Sequence, residues 1–294
     1  MRSPLWPLTR TGWYLTQRSI PVPPTAGVPT PERRYLPGRG ETAIVDVGRR
    51  DAEPLFLLHG LACTGLLNWY PALPALAERY RVIILDQRWH GAGIRSNTFS
   101  LEDCAEDVLA LADALDIERF TVAGYSMGGL VGQLLALRSD GRLRGLVLCA
   151  TTSGFRRSRR HNAVLDAYGS TAAMWQARAR LATLRDTPAA DLTDHRWLYA
   201  QFRSTKPAEI MAAVDVIGRF DSTPWLRGIA VPTSVVVTAK DRAIPAVHQY
   251  AVVRAIPAAN SFEIDAGHAA CVFRPGMFVP ALAAACASVH SRSR

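Results

Sequence analysis

The sequence predicts an α/β protein: a mainly parallel sheet with helices on both faces and a helical cap inserted over the sheet's carboxyl edge. Three observations predict it. Short apolar runs alternate with stretches at helical spacing from about Glu41 onward. That alternation breaks once, from about Thr152 to Gly228, and then resumes. The segment Gly124-Tyr125-Ser126-Met127-Gly128 lies between a strand-like run and a helix-like one. Strands alternating with helices are the signature of parallel pairing, because each crossover needs an element to cover the sheet. With 294 residues, 49% hydrophobic and 20% charged, the chain has material for one large core and is not a disordered protein.

The elements follow in order. The lead-in to about Gly40 is proline-rich, from Pro21 through Pro37-Gly38, with no regular period. Ala43–Val47 reads as an early strand, and Leu55–Leu58 as a buried one ending at His59-Gly60. A helical stretch follows through Trp69, Leu73, Leu76 and Tyr80. Val82–Leu85 is the next strand, ending at Asp86, and Ser100 to Asp103 resembles a capping box opening a helix to about Leu115. Phe120–Ala123 is the strand before Gly124, and Leu130, Val131, Leu134, Leu135 and Leu137 mark the helix after it. Leu146–Cys149 is another strand. Within the interruption, Ser170 begins one expected helix with Met174, Trp175, Leu181 and Leu184, and a second spans roughly Lys206 to Phe220 with Pro207 in its first turn. Strand character returns at Val235–Val237 and Phe262–Ile264, and Ala269 to about His290 supplies a final helix.

A strand, a sharp turn at serine and a helix make a nucleophile elbow. The turn strains the serine backbone, and glycines two residues either side let strand and helix approach. The other reading is a glycine-rich turn whose serine only caps the helix. A serine hydroxyl needs a base, which should be a histidine on a loop at the same sheet edge. His268, after the last strand and before the final helix, fits that description; His59, His90, His161, His195, His248 and His290 fit it less well. The base needs a carboxylate to hold its tautomer, and Asp241 follows the penultimate strand. The order Ser126, Asp241, His268 is the one expected of this geometry. Asp86 also ends a strand, but Arg88 and Arg95 share its loop, so an ion pair is its expected role. Two N–H donors must meet an oxyanion. Met127, directly after the nucleophile, supplies one, and Leu61, in the turn His59-Gly60-Leu61-Ala62, the other.

Charge and cysteines narrow the classes further. The net charge is +9 and nearly all of the positive charge is arginine, Lys206 and Lys240 being the only lysines. No finger, recognition helix or aromatic-basic array accompanies it, so no nucleic-acid partner is expected. Cys63, Cys104, Cys149, Cys271 and Cys286 are scattered and odd in number, which fits a reducing, cytoplasmic compartment. No H-E-x-x-H and no clustered Cys/His spacing implies a metal, and no cofactor motif is present. No apolar run is long enough to span a bilayer, and Pro4, Pro7 and Arg10 interrupt what a secretory signal would need to be apolar. Trp6, Trp13 and Tyr14 beside Arg2, Arg10 and Arg18 leave two readings of the first residues: a membrane-surface arm, or one that packs on the domain or stays loosely ordered.

His59-Gly60, the stretch Asp86 to Gly91, Gly124 to Gly129, Lys240-Asp241 and Gly267-His268 occur in an order that resembles the α/β-hydrolase family from about Glu41 to the end. Two departures stand out: Trp89 replaces a glycine usual in relatives, and Ala239 stands where glycine is frequent. The resemblance implies an eight-stranded sheet, a cap after the sixth strand and a Ser–Asp–His triad. The expected division is an arm over 1–40, a core first part over 41–151, a helical cap over 152–228 and a core second part over 229–294. The expected activity is that of a cofactor-free serine hydrolase, carboxylesterase-like, acting on a small acyl compound through Ser126. Phe155, Trp175, Trp197, Phe202 and Met211 make the cap apolar, which favours an apolar substrate. The same triad serves thioesters, C–C bond hydrolysis, perhydrolysis and acyl transfer, and a ligand-binding or signalling protein can retain it.

Overall fold

The computed structural model describes residues 22–155 and 193–293. Eight strands form one sheet in the order β1-β2-β4-β3-β5-β6-β7-β8. They are β1 Glu32–Leu36, β2 Gly40–Val47, β3 Pro54–Leu58, β4 Arg81–Leu85, β5 Phe120–Tyr125, β6 Leu143–Cys149, β7 Thr233–Thr238 and β8 Asn260–Ile264. β2 pairs antiparallel with β1 and β4, and the remaining neighbours pair in parallel. The helices among the described residues are α1 Gly65–Trp69, α2 Leu73–Ala77, α3 Leu101–Ala114, α4 Met127–Arg138, α5 Thr193–Arg203, α6 Pro207–Arg219, α7 Ala246–Ala255, α8 Ala270–Phe273 and α9 Pro275–Arg292.

Period-two alternation splits the buried strands between two cores. Phe56 and Leu58 of β3 join Val122, Leu146 and Val235 in a layer with Val108 and Leu111 of α3 and Val131 of α4. Leu55 and Leu57 face the other way, with Ala123, Val147 and Val236, onto Trp69 of α1 and Phe278 and Leu282 of α9. Each such side chain contributes about 1.5–3 kcal/mol by leaving water. In register, Leu58 lies beside Gly124, Tyr125 beside Cys149, and Cys149 beside Val236. The chain therefore leaves β3, β5 and β7 at one edge, where parallel α/β sheets place their ligands.

Three local differences from the sequence reading have physical causes. β1 is an extra edge strand inside the supposed lead-in; its Glu-Arg-Arg-Tyr-Leu sequence is charged because only one end is buried. The stretch from 65 to 80 is two short helices, α1 stopping at Tyr70 before Pro71 and α2 opening beside Pro74. The final helix is likewise α8 and α9, broken at Arg274, which precedes Pro275 and sits at φ −137°, ψ 48°. Elsewhere Ser100 Oγ accepts the Asp103 N–H at 2.9 Å and caps α3, and Pro207 opens α6. The expected helix from Ser170 and the arm before Val22 lie outside the described residues.

The insertion between β6 and β7 has a narrow stem. Gly154 and Asp221 form an antiparallel bridge. Beside it the Ser222 N–H donates to the Ser153 carbonyl at 2.7 Å, and Ser222 Oγ lies 2.6 Å from Gln133 Oε1 of α4. At the other end, α5 meets α1, with Thr64 Oγ1 2.7 Å from Gln201 Oε1 and the Tyr70 and Trp197 rings 5.0 Å apart.

Candidate active site

The turn between β5 and α4 holds Ser126 at φ 52°, ψ −114°. A non-glycine residue there carries roughly 1–3 kcal/mol of backbone strain, which the surroundings must offset. The Ser126 N–H donates to the Cys149 carbonyl at 2.9 Å, and its carbonyl accepts from the Gly129 N–H at 2.9 Å and Thr151 Oγ1 at 2.8 Å. Glycine is required at two neighbouring positions for space: a Cβ on Gly124 would stand 2.2 Å from the Gly128 carbonyl oxygen, and one on Gly128 2.2 Å from that of Leu58. Ser126 makes no side-chain cap to its helix. Its Oγ instead lies 3.0 Å from His268 Nε2.

His268 follows β8, and its Nδ1 is 2.7 Å from Asp241 Oδ2. A carboxylate only accepts, so Nδ1 carries the proton and Nε2 is left to accept the Ser126 hydroxyl proton. The Asp241 side chain is wholly shielded from solvent. Its Oδ1 accepts the Ala243 and Ile244 N–H groups, both at 2.9 Å. Its Oδ2 accepts Thr238 Oγ1 at 2.8 Å and Gln249 Nε2 at 3.3 Å as well as the imidazole. The carboxylate is thus satisfied without water. Tyr125 OH donates to the His268 carbonyl at 2.7 Å, tying the loop to the strand that carries the serine. Burial pushes the Tyr125 phenol well above its ordinary pKa, so it stays a donor.

The two backbone groups expected to face an oxyanion flank the same serine. Met127 opens α4, so its N–H is among the helix donors that have no intrahelical acceptor. Leu61 follows Gly60, where an added Cβ would come 3.4 Å from Ser126 Cβ. Spacing gave no signal for Thr151, Thr238, Tyr125 or Gln249, since hydroxyls and amides acquire partners only through tertiary placement.

The rejected candidates sit elsewhere. His59 and His90 are wholly buried with rings 5.3 Å apart. Burial lowers them to about 4 and about 3, which keeps both neutral. His248 is on α7 and His290 on α9; His161 and the His195 side chain lie outside the described residues. The expected ion pair at Asp86 is corrected. Asp86 accepts backbone N–H groups, from Gly65 at 2.7 Å and Ala92 at 2.8 Å. Arg88 turns to Asp107 of α3, and Arg95 to Glu209 of α6. Asp86 thus closes its loop through main-chain donors, while Arg95 braces the same loop by donating to the Trp89 carbonyl at 2.9 Å; burial raises the Asp86 pKa. The substituted glycine position, Trp89, has φ 66°, and its indole N–H donates to the Ser96 carbonyl at 3.0 Å.

Among the described residues no group of three or more His, Cys, Asp or Glu is arranged to hold a metal, and no helix is long and apolar enough to cross a membrane.

This architecture has known counterparts. The family model described as alpha/beta hydrolase fold matches residues 53–275, and the chain belongs to that family. It is 27% identical over 211 residues to 3-oxoadipate enol-lactonase 2 of Acinetobacter baylyi, covering 66% of this chain and 73% of the relative. Among solved structures, a hydrolase from Pseudomonas aeruginosa PA01 superposes with a TM-score of 0.73 at 26% identity, covering 88% of this chain and 98% of that one. The enol-lactonase from Burkholderia xenovorans LB400 gives 0.73 at 25%, covering 87% and 100%. Fold and family together define a hydrolase of the α/β class.

Proposed function

We propose that the protein is a cofactor-free serine hydrolase that cleaves a carboxylic ester through an acyl-enzyme on Ser126. The observation that carries this reading is the Ser126 Oγ to His268 Nε2 separation of 3.0 Å, on an elbow whose strain presents the hydroxyl. Ser126 Oγ attacks the acyl carbon while His268 Nε2 takes its proton. The Met127 and Leu61 N–H groups receive the tetrahedral oxyanion. His268 then protonates the departing alcohol, and water activated by the same nitrogen releases the acid. Asp241 holds the tautomer and offsets the charge on the imidazolium. Two relatives carry names in which the substrate is an enol-lactone, so cyclic as well as open esters belong to the proposed class. Residues 152–228 act as a cap, and its apolar side chains select an uncharged, apolar acyl group.

A fluorophosphonate reports directly on the nucleophile. It should label the protein on Ser126 alone, and Ser126→Ala should abolish labelling and lower hydrolysis by roughly 10⁴-fold or more. In a chain-length series of 4-nitrophenyl esters, uncharged acyl groups should outpace charged ones. Labelling at another residue, or turnover retained by Ser126→Ala, would sink the acyl-enzyme. A labelled enzyme that turns over thioesters or diketone-like compounds faster than esters would move the reading to those substrates.

A further inference from the structure

The turn His59-Gly60-Leu61 lies outside helix and strand, so partners elsewhere must fix its peptide planes. Two buried side chains from different elements do so. Gln87 Nε2, in the loop after β4, donates to the His59 carbonyl at 2.6 Å. Asn68 Oδ1, on α1, accepts the Gly60 N–H at 3.0 Å. Both ends of the 59–60 peptide are therefore held. The next peptide is held at its oxygen, which accepts the Cys63 N–H at 3.3 Å and faces His59 Nδ1 at 2.8 Å. Residue 87 also decides the direction of that last bond. Its backbone N–H donates to His59 Nε2 at 2.8 Å, so the imidazole proton sits on Nδ1 and is donated to the Gly60 carbonyl. A trans peptide is planar, so a fixed Gly60 carbonyl sends the Leu61 N–H out on the opposite side.

Gln87 and Asn68 are each 1% exposed. Gln87 Oε1 and Asn68 Nδ2 are buried without a hydrogen-bond partner. In each amide one atom grips the turn and the other leaves a desolvation penalty uncompensated, a poor choice if packing were the only demand. The geometry points to Gln87 and Asn68 as positioning residues that aim the Leu61 N–H at the oxyanion without reaching the substrate themselves. This rests on the acyl-enzyme reading above.

Two variants test it. Gln87→Leu removes the amide at nearly constant volume, and Asn68→Ala removes the acceptor. With 4-nitrophenyl butyrate, the two should each lower kcat by roughly 10- to 100-fold, less than the loss of a whole donor. KM should stay within about threefold, since uniform binding is untouched. Butylboronic acid, whose tetrahedral adduct on Ser126 carries the oxyanion, should inhibit more weakly by the same factor as kcat falls. The acid limb of the pH–rate profile should not move, because the His268–Asp241 pair is untouched. Folded variants with wild-type kcat and boronate affinity would overturn the assignment, as would variants whose only change is a lower Tm. Fluorophosphonate labelling of the unmodified enzyme separates the two failures. No label on Ser126 overturns the acyl-enzyme and this inference together, whereas a labelled enzyme with unaffected variants overturns only the positioning role.

Discussion

Asp86 follows β4 and Asp241 follows β7 at the same edge of the sheet, yet their surroundings assign them different work. Asp241 Oδ2 faces His268 Nδ1 at 2.7 Å, whereas Asp86 spends both oxygens on the Gly65 and Ala92 N–H groups. An amide at 241 would present the imidazole with a donor or a weak acceptor and favour the wrong tautomer. Asp241→Asn should therefore keep its fold and lose roughly 10⁴-fold in kcat. Asp86→Asn should do the reverse: its new NH₂ group would confront a backbone donor, lowering Tm while kcat per folded molecule is kept. Comparing both by steady-state kinetics at equal folded fraction checks this; an inactive, folded Asp86→Asn beside an active Asp241→Asn would falsify the triad. Ser126, His268 and Asp241 were legible because each sits at a strand end, a place that the apolar runs mark. Gln87, Asn68, Thr151 and Gln249 were not, because nothing local distinguishes a polar residue that grips a backbone from one that faces solvent.

At the level of elements, the elbow depends on how closely α4 approaches β3. Gly128→Ala would put a methyl 2.2 Å from the Leu58 carbonyl oxygen, which is main chain and cannot swing aside. It should cost about 1–3 kcal/mol, as overpacking does, and slow phosphonylation of Ser126 because α4 must shift with its first residue. Gly228→Ala meets nothing within 4 Å and should fall within about 0.5 kcal/mol of the parent. Urea unfolding and labelling rates on both variants would check the pair, and equal stabilities would remove the close-approach argument. The buried strands were readable from sequence because each is a short apolar run. β1 was not, since an edge strand with exposed Arg33 and Tyr35 has no apolar period. The break between α8 and α9 was hidden because an apolar pattern runs through it; only Pro275 marks it. Trp89 occupies the left-handed region without glycine, held by its bond to Ser96 and by the Phe99 ring 5.5 Å away.

For the molecule as a whole, two buried histidines should lower its tolerance of acid. His59 and His90 bind protons only near 4 and 3 in the fold, whereas in the unfolded chain both titrate near 6.5. Between those values the unfolded state holds more protons, so stability is full above about pH 6.5 and declines as pH falls through the window. His59 alone should remove about 2 kcal/mol between pH 7 and pH 5. Urea unfolding at both pH values measures the loss, and His90→Gln should flatten the dependence; an unchanged slope in that variant would assign the acid sensitivity elsewhere. The stem at Gly154 and Asp221 bears on how much change the fold tolerates. The chain between those residues departs from β6 and returns toward β7 at one bridge, and α5 and α6 within it seat on α1 and the core. Doubling the length of a flexible loop costs only ~0.6 kcal/mol in closure entropy. What resists exchange is α6, whose Ala213 and Ile217 pack in the sheet-side core. Added length between the stem and α6 should therefore be cheap for the fold, whereas replacing α6 itself should open the core that it helps to close.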